Sequence, residues 1–262
     1  MDCYISRKQA IEVCKNLKKF YAGLNEYYSA FGLDIESNRG RRNILMSEPM
    51  EFFLARELEK TLDNVSADGR TGAADITFGF GDNAQEIECK LTSPHMSSGS
   101  ISFQTDYETL EKKGSIDYVY IIADETFEKF CFIFFKGVTL DDFRGLSPGA
   151  RGKVQMYKHR GMKKATVLLG QSINRNNAYI SKLENLIDDE KDKFIARKQF
   201  LENTVSSLKS TQQYEKTKKI TQLEAAKKVF VEKLNNINNK IIMKRETKAS
   251  YSFTYEDPNE AS

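Results

Sequence analysis

Long apolar runs, paired cysteines and clustered histidines are all missing from this sequence. No stretch of about 18 uncharged apolar residues is present, so no segment reads as a membrane-spanning helix. The N-terminal segment, MDCYISRKQAIEVCKNLKKF, has neither an uninterrupted apolar stretch nor an A-x-A-like cleavage site, so no secretory signal and a cytoplasmic location are expected. Cys3, Cys14, Cys89 and Cys131 show no C-x-x-C spacing, and just His95 and His159 could join them around a soft metal. A zinc site is therefore not expected. Cys89 and Cys131 lie in apolar runs, where a reduced cysteine behaves as a small hydrophobe. No internal repeat is visible, and no small-molecule organic cofactor is expected.

What is present suffices for a globular fold. The chain has 262 residues, 40% of them hydrophobic, with 17 Phe and 12 Tyr to fill a core. The net charge of +3 conceals a division: residues 1–150 hold 17 Lys and Arg against 24 Asp and Glu, whereas residues 151–250 hold 23 against 10. A basic C-terminal part beside an acidic N-terminal part points to a polyanionic partner approached mainly from one side.

The periodicities predict an α/β (α+β) protein. Ala10, Val13, Cys14, Leu17, Phe20, Tyr21, Leu24 and Tyr27 recur at helical spacing behind Ser6, a good N-cap, over residues 6–30. A polar loop, DIESNRGRRN, then leads to a second helix over about 48–62, with Pro49 in its first turn. A meander of three strands follows, at about 64–67, 74–80 and 85–92, punctuated by D-G and G-D-N turns. A helix over 103–113 and two continuous apolar strands, 116–123 and 129–138, complete the series. Residues 146–170 read as a Gly-punctuated basic loop closing in a short strand. From about 176 to 245 the chain is helical and free of Pro and Gly, with a break near 209–215 that allows an antiparallel, coiled-coil-like hairpin. Two domains are expected: residues 1–172, and residues 173–262 with an edge strand near the C-terminus and frayed last residues.

The stretch AADITFGFGDNAQEIECKLTS, residues 73–93, carries the chemistry. Side chains alternate across a strand, so Ile87, Cys89 and Leu91 face one side, and Glu86, Glu88 and Lys90 the other. Ala74, Ile76, Phe78 and Phe80 share one face of the preceding strand, leaving Asp75 opposite. Asp75, Glu88 and Lys90 can then converge on one polar surface. Two nearby carboxylates repel, and a hard divalent cation such as Mg²⁺ relieves that repulsion while keeping positions for water and phosphate oxygens. A neighbouring ammonium can orient or deprotonate an attacking water. Acid-x-Lys triplets are common, and this chain has three more, at Glu111–Lys113, Asp189–Lys191 and Glu246–Lys248. Those lie in charged helical or terminal stretches and read as solvated. Glu88–Lys90 alone sits in an apolar strand, where an unpaired charge is costly.

Asp75, then Glu88-Cys89-Lys90, preceded by a Glu-bearing helix and followed by helix and strand, resembles the PD-(D/E)xK nuclease superfamily, most of all type II restriction endonucleases. The resemblance covers roughly residues 47–136. Ala74 stands where the motif's name has proline, a position without a chemical role. The resemblance implies a restriction-endonuclease-like core, with a mixed central sheet flanked by helices. It also implies Mg²⁺ on Asp75 and Glu88, Lys90 at the attacking water, and a homodimer cutting double-stranded DNA at a short site. Many members add an acid from the preceding helix. Glu48 and Glu51 are the candidates, with Glu51 favoured, and Asp68 is a further possible ligand.

For DNA contacts, Gln104 and Tyr107 on the helix after the motif suit backbone phosphate. Arg151, Lys153, Gln155, Lys158, His159, Arg160, Lys163 and Lys164 form the main reading candidate, since Arg and Lys can pair with guanine edges and Gln with adenine. His95 reads as a loop residue. Two other functions fit the same residues: a structure-specific repair, recombination or phage nuclease, and a non-catalytic DNA-binding coiled-coil scaffold.

Overall fold

A computed structural model describes residues 3–68, 73–146, 149, 152–247 and 249–261. The chain divides into two compact units, residues 1–173 together with 251–262, and residues 174–250.

In the first unit, α1 (Arg7–Ala30) opens with a capping box in which Ser6 and Gln9 satisfy each other's backbone N–H groups. Its Ala10, Val13, Cys14, Leu17 and Tyr21 are buried as the spacing requires, whereas Phe20 and Tyr27 stay exposed. Where a polar loop was expected, α2 (Arg39–Leu45) forms and leads into α3 (Ser47–Leu58). The reason is Arg42, fully buried, which donates to Glu125 O (2.6 Å), Asp124 O (3.0 Å) and Ser93 Oγ (2.9 Å). Its guanidinium also lies against the Tyr21 and Phe127 rings.

The meander follows as β1 (Ser66–Ala67), β2 (Ile76–Phe78) and β3 (Gln85–Thr92). β2 is shorter than the alternation suggests, because Gly79 turns the backbone to a positive φ of 88°. The expected helix at 103–113 begins instead as a strand, β4 (Gln104–Asp106), and only then becomes α4 (Tyr107–Lys113). Next come β5 (Ile116–Ala123) and β6 (Phe130–Val138). The basic loop is ordered rather than irregular where described, containing β7 (Lys153–Gln155), α5 (Lys158–Gly161) and β8 (Ala165–Leu169), with β9 (Gln171–Asn174) after it. β7 pairs antiparallel with β4, an arrangement of two three-residue strands that depends on long-range contact rather than on local pattern.

The central sheet runs β1-β2-β3-β5-β6-β8. It is mixed: β3 and β5 are parallel and the other described pairs antiparallel. A parallel pair needs a crossover, and β4 with α4 provides it. Both faces are covered. Ile87, Cys89, Val119, Ile121, Phe132 and Phe134 pack towards the α1 and α3 side. Tyr118, Tyr120, Ile122, Ile133 and Phe135 pack with Phe103, Leu110, Val154 and Met156 on the other. This double cover explains why all eight residues of β5 are buried.

The residues after 250 return to the first unit instead of ending the helical one. β10 (Tyr251–Thr254) pairs with β9, and Glu256 exchanges backbone hydrogen bonds with Phe130 (2.9 and 3.0 Å). Asp257 pairs with Lys18 at 2.9 Å, so residues expected to fray are tied down.

The second unit holds α6 (Asn177–Ser207) and α7 (Gln213–Arg245). Glu190–Lys233 and the stacked rings of Phe194 and Phe230, 4.5 Å apart, show them antiparallel, as the break predicts. Ile180, Leu183 and Ile241 form its buried seam, whereas Ile220 is exposed. Among the described residues no helix is long and apolar enough to cross a membrane.

Candidate active site

Asp75 stands one residue ahead of the Ile76–Ile87 pair, which sets it across from Glu88. Its Oδ2 accepts the Cys89 N–H at 2.6 Å and lies 3.6 Å from Lys90 Nζ. Lys90 also reaches Glu88 Oε2 at 3.2 Å. The three residues singled out in the sequence are therefore together. The polar surface expected there is partly covered: Glu88 is only 7% exposed, whereas the Lys90 and Asp75 side chains remain 31% and 21% exposed. A buried carboxylate needs partners. Lys113, from the last turn of α4, supplies one at 3.1 Å from Glu88 Oε1, while also pairing with Glu86 at 2.8 Å.

Burial pulls the Lys90 ammonium down, but Asp75 and Glu88 more than offset it and hold the group above the ordinary lysine range. Lys90 is thus held as a cation by its two acids, suited to orienting a water rather than deprotonating it. Glu51 behaves differently. Burial, then the charge of Asp75, pushes its carboxyl up to about 7, with Lys90 opposing and Glu48 and Glu88 adding to the rise. Its helix packs on β3, and Glu51 is partly buried where Glu48 is exposed. The acid favoured in the sequence thus shares the electrostatic environment of Asp75, Glu88 and Lys90. Asp68 lies alongside, its N–H donating to the Asp75 carbonyl oxygen at 3.1 Å.

No group of three or more His, Cys, Asp and Glu among the described residues is arranged as a metal cage. The donor chemistry of the pair nevertheless fits a hard cation: Asp75 and Glu88 carry carboxylate oxygens, the ligands Mg²⁺ takes, and Glu51 feels their charge. The raised Glu51 carboxyl reports a point where burial and neighbouring acids disfavour further negative charge, which a divalent cation would relieve. Lys90 and Lys113 neutralise part of that charge here.

The DNA-contact candidates divide. Gln104, Lys153, Arg160 and Lys163 are exposed. Tyr107 donates to Glu111 Oε1 (2.7 Å), and Gln155 donates to Ser102 Oγ (3.0 Å). Lys158 lies over the Phe253 ring, His159 lies beside the Tyr157 ring, and Arg160 donates to the Asp141 carbonyl. Lys164 is held by buried Asp142 at 2.6 Å and by the Gly137 carbonyl oxygen. Arg151 lies outside the described residues. His95 is exposed in its loop.

Lys113 was missed because the Glu111–Lys113 triplet resembles a solvated helix pair; its partner Glu88 is 25 residues away in sequence. Tyr118 and Tyr120, next to Glu88 and Lys90 in the parallel register, were likewise hidden inside an apolar strand. Compared with known proteins, the chain matches no family model, no curated protein and no solved structure.

Proposed function

We propose that the protein is a Mg²⁺-dependent endonuclease of the PD-(D/E)xK type, hydrolysing phosphodiester bonds of double-stranded DNA as a type II restriction enzyme. The observation that carries this reading is the convergence of Asp75, Glu88 and Lys90, with Glu51 titrating near neutrality beside them. The order α3, β1–β3, α4, β5 around that point supports a restriction-endonuclease-like core.

On this reading Asp75 and Glu88 hold Mg²⁺, which when bound supplies positive charge to the phosphate oxygens. Lys90, kept charged by its two acids, orients the attacking water in line with the phosphorus. Glu51, close enough to feel the charges of Asp75 and Glu88, would accept the water proton. The water oxygen bonds to phosphorus as the opposite P–O bond breaks, and the leaving oxygen is protonated from solvent. A palindromic site calls for two such centres, hence a homodimer, and the substrate places the enzyme in the cytoplasm.

A plasmid digest with Mg²⁺ followed by end sequencing tests the proposal. Discrete fragments sharing one end sequence support it. Smearing, or cutting confined to branched DNA, would replace it with a structure-specific nuclease. Metal-independent binding without cleavage under any divalent ion would leave a DNA-binding scaffold.

A further inference from the structure

We infer that the β4–β7 ribbon reads base edges in the major groove, and that Tyr118 and Tyr120 are the positioning residues that fix it over the cleavage site, an inference that rests on the nuclease reading above.

The ribbon has two distinct faces. Its register pairs Gln104 with Gln155, Thr105 with Val154 and Asp106 with Lys153. Alternation turns Thr105 and Val154 inward, where they are 4% and 3% exposed. Gln104, Asp106, Lys153 and Gln155 share the other face, the first three exposed and the fourth partly so. A two-stranded ribbon fits the major groove, and these side chains match its code: Gln for adenine, Lys for guanine and Asp for the cytosine amino group. One acid against one base leaves the face near neutral, unlike a surface that merely follows phosphates. Gln155 Nε2 is engaged by Ser102, which orients the amide.

The inner face explains the positioning. The Tyr118 hydroxyl meets Thr105 Oγ1 at 2.6 Å, and the Tyr120 hydroxyl donates to the Gln104 carbonyl oxygen at 2.7 Å. Both tyrosines are buried on β5, in parallel register with Glu88 and Lys90. Two hydrogen bonds therefore run from the residues flanking the acid and the lysine to the strand that presents Gln104. α4 continues directly from β4 and returns Lys113 to Glu88. Readout and cleavage share one rigid frame, so a shift of the ribbon is felt at the site.

The test is cleavage of a duplex library randomised over a short window, with Mg²⁺ and sequencing of the cut ends. Wild type is expected to select a defined sequence. Gln104→Ala and Gln155→Ala, changes at the outer face that spare the core, are each expected to relax one base position about tenfold or more. Tyr118→Phe/Tyr120→Phe is expected to lower the ratio of cognate to one-base-changed cleavage by a similar factor. A structural role alone would lower both rates together. A defined wild-type sequence left unchanged in both glutamine variants would overturn the inference while sparing the nuclease. Wild-type cutting without base preference would overturn it together with the restriction-enzyme reading while sparing the nuclease chemistry, whereas no cutting by wild type would remove both readings.

Discussion

Lys113 reaches across from the last turn of α4 to donate to Glu88 Oε1 at 3.1 Å. With Lys90 at the other oxygen, both oxygens of the acid are engaged by ammonium groups. Lys113→Met removes one competitor for that oxygen. It is expected to tighten Mn²⁺ binding in the absence of DNA by roughly tenfold, read by calorimetry, and to lower stability by about 1–3 kcal/mol because Glu88 is buried. Unchanged Mn²⁺ affinity would mean that Lys113 is not in the cation's way.

Glu51 yields a stability test free of activity. Its folded carboxyl titrates at about 7 against the ordinary 4.5, so the folded state binds more protons than the unfolded state between those values, and stability falls as pH rises through that window. Glu51→Gln removes the penalty. In EDTA the variant is expected to be the more stable at pH 8, by on the order of 1 kcal/mol once solvent screening at this half-buried position is allowed for. The advantage should vanish at about pH 4.5 and below. Denaturant melts at the two pH values measure it, and equal stability at pH 8 would contradict the assigned environment.

Lys164 and Lys163 are adjacent in sequence and differ in setting. Lys164 compensates buried Asp142 at 2.6 Å, whereas Lys163 is exposed. Lys164→Met is expected to cost about 1–3 kcal/mol by leaving the acid short of a partner. Lys163→Ala is expected to weaken DNA binding with a shallower salt dependence. Melts and binding titrations at two salt concentrations separate the roles.

These contrasts show where the sequence was legible. β5 and β6 are continuous apolar runs, Ser6 opens α1, and the acid-x-lysine strand sits among residues that cannot bury charge idly. Such features are local, and the structure places them as read. β4 and β7 are three-residue strands whose pairing joins positions about fifty residues apart, and α2 exists because Arg42 finds carbonyls beyond residue 120. Lys113 and the tyrosine hydroxyls act through similarly distant partners. No periodicity encodes them.

Single-turnover cleavage of plasmid DNA with Mg²⁺ tests the roles of Asp75, Glu88 and Lys90 most directly. Asp75→Ala, Glu88→Ala and Lys90→Ala are each expected to lose about a hundredfold or more in rate, while binding DNA in Ca²⁺ close to wild type. Variants that cut as fast as wild type would contradict the account.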